Sequence, residues 1–448
     1  MHDHAIVLGA SIAGLLTARV LADHYAEVTI VERDELPDGP AARRGVPHGR
    51  HLHGLHPRGR QILDELFPGF SSDLIAAGAV TGDMLGEARW LLSGHRLARA
   101  PSGLRGTFCS RPLLESHVRA RVRALPSVRF LDGCAITGLT VDAVGRAVTG
   151  ARVRPDHGPG RILPADLVVD ATGRGSRTPA WLEELGYARP PEERVVVDVG
   201  YATRTFRFAG DPLGGDKLIL HAGTPAAPRM GAFAPLEDGR WIVSLGGILG
   251  DHPPTDLAGF TAFAASLTFA DIADALRDAE PADDGVTFRF PANTRRRYER
   301  LPVHPERLLV TGDALCSFNP IYGQGMAVAA MQAGQLRRML AAAPVPDPAA
   351  WYRAVAPVVD VPWQIAVGAD LAYPGVRGPR TAQVRMVNTY LPRLHAAAAY
   401  DPTVGTAFLR VMGLLDPPES LLRPGLALRV LARRRPAAVR PPLEGVLR

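Results

Sequence analysis

The first 32 residues constrain the fold more than any other part of the chain. An apolar strand over residues 4–9 runs into Gly9-Ala10-Ser11-Ile12-Ala13-Gly14, helical periodicity continues to His24, and a second strand ends at Glu32. This order of strand, glycine-rich turn, helix and strand is that of a βαβ unit, which pairs its two strands in parallel. The sequence therefore predicts an α/β protein.

The turn has the form Gly-x-Ser-x-x-Gly, with Gly9, Ser11 and Gly14 at its fixed positions and Glu32 at the end of the second strand. Its backbone can approach a pyrophosphate closely, the helix start supplies unpaired N–H groups, and the carboxylate can accept hydrogen bonds from ribose hydroxyls. The pattern predicts a dinucleotide site and leaves NAD(P) and FAD both open. The alternative is a turn whose glycines only allow helix and strand to pack closely.

Composition excludes several other classes of protein. With 448 residues, 46% hydrophobic and 21% charged, the chain resembles a folded globular protein of two or three domains. The cysteines at 109, 134 and 316 form no CxxC pair, which argues against a disulfide framework or a four-cysteine zinc site. No secretory signal pattern precedes the first strand and no apolar run of about 20 residues occurs, so we expect a cytoplasmic protein without a membrane span.

The formal charge of +6 is concentrated near the C-terminus. A stretch rich in Leu, Ala and Pro there is punctuated by basic residues, namely Arg423, Arg429, Arg433, Arg434, Arg435 and Arg440. We expect a solvated amphipathic helix that packs on its own domain and no nucleic-acid partner. Binding of nucleic acid or a membrane surface is the alternative.

Two later motifs and a third segment extend the dinucleotide signal. Asp313 follows a short apolar strand at 307–310, and Asn319-Pro320-Ile321-Tyr322-Gly323-Gln324-Gly325-Met326 leads into a helix. Residues 166–176 read Asp-Leu-Val-Val-Asp-Ala-Thr-Gly-Arg-Gly-Ser. Together with the glycine turn, these motifs resemble, over roughly residues 1–345, the FAD-dependent monooxygenases of the p-hydroxybenzoate hydroxylase fold.

That resemblance implies a Rossmann-like FAD-binding domain, a β-rich substrate domain and a helical C-terminal region. The FAD-binding domain would comprise residues 1–78, 105–194 and 301–345, the substrate domain residues 79–104 and 195–300, and the helical region residues 346–448. Asp313 would bond the ribityl chain, and the helix after Gln324 would point its N-terminus at the flavin pyrimidine ring. The cofactor-binding residues implied are Gly9, Ser11, Ile12, Ala13, Gly14, Glu32, Arg33, Arg44, Arg111, Asp313, Pro320, Gly323, Gln324, Gly325 and Met326.

Within this family the chain is most similar to bacterial natural-product epoxidases and hydroxylases, including those that epoxidise polyether precursors. The residues that support this are Arg43–His53 and, more loosely, Trp363–Pro374. In family terms Arg44 would contact the FAD pyrophosphate, Arg111 would contact the cofactor from its helix, and Arg33 would lie against the adenine. Surface salt bridges are the alternative for each arginine.

Four histidines crowd the same loop, at positions 48, 51, 53 and 56. No Asp, Glu or Cys lies between Asp38 and Asp64 to complete a metal site, so no metal is predicted. The loop would line the flavin or substrate cavity, or simply pack as a loop. Because the flavin would carry the chemistry, no catalytic residue is assigned; the candidates are Arg44, His48, His51 and His53.

The resemblance implies a monooxygenase that transfers one atom of O2 through a flavin C4a-hydroperoxide to a hydrophobic natural-product intermediate, such as a polyketide, in antibiotic or other secondary metabolism. NADH or NADPH would supply electrons. The segment Asp170-Ala171-Thr172-Gly173 departs from the Asp-Gly of the aromatic hydroxylases, which leaves the route of reduction open. A reductase resembling geranylgeranyl reductases and a non-catalytic flavin-binding partner are the alternatives. Halogenation is disfavoured because the halogenase tryptophan motif is absent.

Aromatic side chains of the β-rich segment are candidates for the wall of an apolar cavity between the two domains: Phe206, Phe208, Phe233 and Trp241. Core packing is the alternative for each of them. The histidines at 221 and 252 look isolated in the sequence, so no acid–base pair is expected there. A phenol hydroxylase commonly uses such a base, whereas an alkene epoxidase needs only a close approach of the double bond. Epoxidation is therefore preferred to ring hydroxylation.

Overall fold

The structure, a computed structural model, describes residues 2–432. It divides into two compact units. Of the described residues, unit 1 contains 2–77, 110–196 and 292–367, and unit 2 contains 78–109, 197–291 and 368–432. The arginines at 433–435 and 440 lie outside the described residues, so the prediction made for the basic tail applies there only to Arg423 and Arg429.

The described strands, in chain order, are β1 (His2–Leu8), β2 (Tyr25–Val31), β3 (Val80–Asp83), β4 (Ala88–Leu92), β5 (His95–Arg96), β6 (Arg105–Phe108), β7 (Val128–Leu131), β8 (Cys134–Val141), β9 (Val148–Pro155), β10 (Arg161–Pro164), β11 (Leu167–Asp170), β12 (Glu192–Arg207), β13 (Leu218–His221), β14 (Met230–Pro235), β15 (Trp241–Gly247), β16 (Glu280–Pro281), β17 (Val286–Arg296), β18 (Leu308–Val310) and β19 (Cys316–Ser317). The described α-helices are α1 (Ile12–Leu21), α2 (Pro57–Leu66), α3 (Phe70–Ala76), α4 (Arg111–Arg123), α5 (Thr178–Glu184), α6 (Leu257–Ala265), α7 (Asp271–Ala275), α8 (Gly325–Ala342), α9 (Pro348–Asp370), α10 (Ala382–Ala398), α11 (Pro402–Met412) and α12 (Pro424–Leu431).

Unit 1 is built on a five-stranded sheet in the order β18-β11-β1-β2-β7, in which all four pairs of neighbouring strands are parallel. The central strands are buried on both faces, which explains why they read as continuous apolar runs. Helices α1 and α8 pack together in this unit. The predicted α/β class and Rossmann-like domain are thus confirmed.

The carboxyl ends of the parallel strands bring the three sequence motifs to one edge of the sheet. Gly9 follows β1, Asp170 ends β11, and Gly312 is the second residue after β18. The chain between β7 and β11 forms a second, antiparallel sheet of β8, β9 and β10. The fold therefore places segments that are about 150 residues apart in sequence side by side.

Unit 2 is dominated by an antiparallel run of β12, β15, β14 and β13, extended by β4 and β5. Helices α6 and α7 supply apolar side chains to the core that this sheet buries. Phe206 and Phe233 are 1% and 0% exposed in that core, and Phe208 and Trp241 pack against it. The four aromatic side chains proposed for a cavity wall thus take part in core packing within unit 2.

The chain beyond α8 is helical as far as the structure describes it, with Pro357 and Pro362 inside α9 and Pro392 inside α10. This agrees with the predicted helical C-terminal region. Within residues 2–432, no helix combines the length and the apolar character that crossing a bilayer requires.

Candidate cofactor site

The glycine turn after β1 has a backbone that only glycine accommodates. Gly9 has φ +101° and donates its N–H to the Val31 carbonyl at 2.7 Å. A Cβ on Gly14 would lie 1.9 Å from the Gly9 carbonyl oxygen. Helix α1 thus packs so closely against the turn that no side chain fits at position 14.

The N-terminus of α1 is open to an anion. Ser11 is its N-cap, but its side chain makes no capping hydrogen bond, and the first turn carries no acidic residue. Ile12 and Ala13 begin the helix here. Unpaired N–H groups and the positive end of the helix dipole meet at this point, which is the arrangement that binds phosphate groups.

Glu32 directly follows β2, is 7% exposed, and contacts the glycine turn through its carboxylate. One carboxylate oxygen accepts the Ala10 N–H at 2.8 Å, and the other accepts the Asp34 N–H at 3.1 Å. Glu32 therefore fixes the turn before any ligand arrives. Its predicted role as a ribose acceptor stays a prediction.

The three arginines predicted for this site take different positions. Arg111, the first residue of α4, is buried and donates to the Ser11 hydroxyl at 3.1 Å, so its guanidinium reaches the start of α1. Arg44 is exposed and makes no hydrogen bond or ion pair with residues 2–432. The Arg33 side chain is 67% exposed and lies 3.9 Å from Asp34. Of these three arginines, only Arg111 contacts the glycine turn.

The turn after β18 is held against α1 by glycine and glutamine. Gly312 has φ +63°, and a Cβ there would lie 2.6 Å from the Ala13 Cβ. The buried Gln332 side chain of α8 accepts from the Thr311 hydroxyl at 2.8 Å and from the Gly312 N–H at 2.9 Å. These contacts fix the residue that follows, Asp313, next to the first glycine motif.

Asp313 has no hydrogen-bond or ion-pair partner among the described residues. Burial raises the pKa of its carboxyl above the ordinary value, while the Arg174 and Arg111 charges act in the opposite direction. A carboxylate held this way has its hydrogen-bonding capacity available for hydroxyl groups of a ligand.

The start of α8 contains a second polar group without a partner. Gln324 is the N-cap of α8 and is 1% exposed, yet neither atom of its side-chain amide finds a partner among the described residues. Gly323 before it has φ +66°, and a Cβ on Gly325 would lie 4.0 Å from Asp313. Pro320 and Met326 flank this turn on the short helical segment Pro320–Tyr322 and on α8. A buried amide with unused donors and acceptors indicates a polar ligand at this position.

The histidine loop contacts the same turn. His56 is bonded through Nε2 to the Tyr322 carbonyl at 2.8 Å, and the His48 and His53 rings lie 5.4 Å apart. Burial, assisted by the charges of Arg111 and Arg174 and by His51, lowers the pKa of His48 to about 3. Burial lowers the pKa of His51 to about 4, so these imidazoles are neutral at pH 7.

Among residues 2–432, no group of three or more His, Cys, Asp or Glu side chains could hold a metal ion. Burial also lowers the pKa of His53 well below its ordinary value and lowers that of His56, with opposing hydrogen bonds to backbone carbonyls. The loop thus supplies neutral, polar rings beside the turn that precedes α8.

Asp170, at the end of β11, is occupied by its own turn. Its carboxylate accepts from the N–H and the hydroxyl of Thr172, at 2.8 and 2.6 Å, and from the hydroxyl of Thr178 at 2.6 Å. This accounts for the sequence Asp-Ala-Thr-Gly, because the threonine hydroxyl caps the aspartate.

Sequence reasoning missed two interactions. The buried Arg43, adjacent to Arg44, donates two hydrogen bonds to Glu115. The expectation that His252 is isolated was wrong, because its Nε2 lies 3.5 Å from the Asp198 carboxylate and 3.2 Å from the Asp198 carbonyl. His221 is buried under Phe269, as an isolated core histidine would be. Only the adjacent arginine pair left a signal in the sequence.

The cluster fits FAD. The glycine turn and the open start of α1 suit a diphosphate, and Asp313 and Gln324 offer unpartnered polar groups beside it. The start of α8 adds a second positive helix end. A diphosphate site and a second polar site on one sheet edge match a dinucleotide whose two halves both need recognition.

Comparison with known proteins supports this interpretation. A family model described as an FAD binding domain matches residues 3–344. Protein Rv3254 of Mycobacterium tuberculosis is 38% identical over 430 residues, which is 92% of this chain and 90% of that protein. Kynurenine 3-monooxygenase of Salinispora arenicola is 28% identical over 339 residues, or 72% of this chain and 69% of that protein.

Two solved structures show the same fold. The flavin-dependent brominase Bmp2 aligns with a TM-score of 0.66 and 16% identity, covering 92% of this chain and 93% of its own. The p-nitrophenol 4-monooxygenase PnpA of Pseudomonas putida aligns with a TM-score of 0.64 and 15% identity, covering 93% of this chain and all of its own. At these identities the likeness concerns the fold alone. The family match extends over more than half of the chain and supports FAD over NAD(P) as the dinucleotide; the protein is thus a member of the FAD-binding domain family.

Proposed function

We propose that this protein is an FAD-dependent monooxygenase that inserts one atom of O2 into an alkene or electron-rich ring of a hydrophobic natural-product intermediate. The observation that carries the proposal is the pair of unpartnered polar groups, Asp313 and Gln324, at the start of α8 in a member of an FAD-binding family. The names of similar proteins, kynurenine 3-monooxygenase and p-nitrophenol 4-monooxygenase, support the reaction class. When bound, FAD supplies electron transfer and activation of O2.

The residues of unit 1 would bind and orient the cofactor. The open start of α1 and Arg111 would hold the diphosphate, and Asp313 would accept hydrogen bonds from the ribityl hydroxyls. The N-terminus of α8, with Gln324, would stabilise negative charge on the ring edge that faces it. The overall reaction would consume one NADH or NADPH, place one oxygen atom in the product and release the other as water.

We further propose epoxidation rather than phenol hydroxylation. The neutral histidines support this preference, because imidazoles with a pKa of about 3 or 4 are poor bases toward a phenol. Similarity of the Arg43–His53 segment to polyether-type epoxidases points the same way. The His252–Asp198 pair in unit 2 favours the alternative, a ring hydroxylase, since a carboxylate beside a histidine is a common arrangement for a general base.

The test is a single-turnover assay with labelled dioxygen. Enzyme with reduced FAD is mixed with ¹⁸O₂ and either an apolar trisubstituted alkene or a phenol of matched size, and products are analysed by mass spectrometry. One ¹⁸O atom in the product of the alkene supports the epoxidase. Formation of an ¹⁸O-labelled product from the phenol by the wild type, but not by the His252→Gln variant, supports the hydroxylase. Reduction of the alkene without label would identify a reductase. Consumption of neither probe, with FAD bound, would contradict the proposed substrate class.

A further inference from the structure

We infer that the Arg43–Glu115 ion pair is a positioning unit that holds Glu32 and Arg111 in place for the adenosine diphosphate half of FAD without touching the cofactor itself. This inference rests on the FAD-binding part of the proposed function and is independent of the reaction. Neither residue was singled out as a site residue by the sequence motifs.

Arg43 joins three segments of unit 1. Its Nε and one terminal nitrogen donate to Glu115 of α4 at 2.9 and 2.6 Å. The same terminal nitrogen donates to the Ala10 carbonyl in the glycine turn at 3.2 Å. The other terminal nitrogen lies 3.3 Å from the Glu32 carboxylate. One guanidinium thus ties the turn, the end of β2 and the start of α4 together.

Glu115 carries the connection on to Arg111. While one carboxylate oxygen serves Arg43, the other accepts from the Nε and a terminal nitrogen of Arg111 at 3.2 and 3.1 Å. Arg111 then reaches the Ser11 hydroxyl at the start of α1. Burial alone would raise the pKa of Glu115, but the Arg111 and Arg43 charges outweigh it and hold that pKa below its ordinary value. The carboxylate is therefore charged when it aligns the two guanidinium groups.

The role of Arg43 is one of positioning because it has nothing left to offer a ligand. Its side chain is 3% exposed, and each of its three nitrogens already faces a carboxylate or a carbonyl oxygen. Arg111, in contrast, contacts the hydroxyl of the residue that caps α1. The planar guanidinium fork suits this set of partners in a way that a lysine ammonium does not.

The positions of Glu32 and Arg111 depend on both members of the Arg43–Glu115 pair. Removing one member leaves the other as a buried charge without its main partner, which drives local rearrangement. Such rearrangement would move Glu32 and Arg111, the groups expected to meet ribose and diphosphate. Affinity for FAD should fall although no contact with FAD has been deleted.

The experiment compares Arg43→Lys, Glu115→Gln and the double variant with a matched control, Arg297→Lys. Arg297 also lies in a mostly buried ion-pair network, with Glu193 at 2.6 Å and Asp360 at 2.8 Å. Among the described residues it has no partner in common with Arg43 or Glu115. Apoprotein is titrated with FAD by fluorescence quenching, the ³¹P NMR spectrum of the bound diphosphate is recorded, and the apoprotein Tm is measured.

Each single variant should raise the Kd for FAD roughly 10-fold or more and shift the ³¹P resonances, as expected when charge-assisted contacts are misaligned. The Kd of the double variant should be no more than about threefold above that of the single variant that binds FAD less tightly, because each single substitution already disrupts the same coupled ion pair. Arg297→Lys should lower the Tm but leave the Kd within about twofold and the ³¹P spectrum unchanged. The two single variants remove opposite members of the pair, so the inference does not depend on one of them folding well.

An unchanged Kd and ³¹P spectrum in Arg43→Lys and Glu115→Gln would overturn the inference and leave the proposed function intact. So would a loss of FAD affinity in Arg297→Lys equal to theirs, because it would identify a general effect of stability. Wild-type apoprotein that does not bind FAD would overturn the proposed function and this inference together.

Discussion

Replacing Gly14 by Ala tests the first contact of the proposed cofactor site. The added methyl carbon would lie 1.9 Å from the Gly9 carbonyl oxygen and 2.9 Å from the Gly9 carbonyl carbon, whereas real Cβ atoms essentially never come within 3.0 Å of a heavy atom outside their own and the adjoining residues. Helix α1 must therefore move from the turn by more than about 1 Å, a displacement that overpacks a dense interior.

Two measurable losses follow from that displacement. The free energy of unfolding should fall by about 1–3 kcal/mol, the usual cost of overpacking. Affinity for FAD should fall as well, because each charge-assisted hydrogen bond lost from the diphosphate contributes about 1.5–3 kcal/mol, which corresponds to roughly 10- to 150-fold in Kd. Thermal unfolding and a fluorescence titration of the apoprotein with FAD measure the two losses.

Gly334→Ala is the matched control, since Gly334 lies inside α8 and a Cβ there meets no atom within 4 Å. It should keep the wild-type Kd and gain about 0.5–1 kcal/mol of stability, because alanine restricts the unfolded chain. A Gly14→Ala protein with the Kd and the unfolding temperature of the wild type would refute the argument from close helix–turn approach.

Asp313→Ala should raise the Kd for FAD roughly 10- to 150-fold but leave the apoprotein at least as stable, because it removes a partly buried carboxylate without a partner among the described residues. Chemical denaturation that shows a less stable apoprotein would contradict this. His56→Phe should lower the free energy of unfolding, measured by chemical denaturation, by about 1–3 kcal/mol, because it removes the hydrogen bond from His56 to the Tyr322 carbonyl. His56→Gln should recover part of that loss. Burial lowers the pKa of His395 to about 3, with a smaller contribution from His95. Between about pH 6.5 and pH 3, His395 is therefore protonated in the unfolded protein and neutral in the folded protein. Its contribution to stability is complete above pH 6.5 and is lost as the pH falls, by up to about 1.4 kcal/mol per pH unit, and His395→Asn should flatten the pH dependence of the unfolding free energy in that window.

The sequence by itself determined the α/β class, the glycine turn after β1 and the Gly-Asp turn after β18. These features depend on residues that are neighbours in the chain. Apolar period and turn chemistry set where a strand ends and a helix begins. Gly14 is required by the Gly9 carbonyl five residues before it, and the positive φ of Gly9 favours glycine there. Local patterns of this kind are readable without a structure.

The tertiary structure decided which polar side chains meet. Arg43 and Arg44 are indistinguishable as letters, yet only Arg43 turns inward, because its partner Glu115 lies 72 positions away on α4. His252 finds Asp198 54 positions away, and Phe206 and Phe233 enter a core closed by helices that follow them in the chain. Side-chain direction depends on packing and charge partners brought together by folding, and the spacing of residues along the chain does not encode those partners.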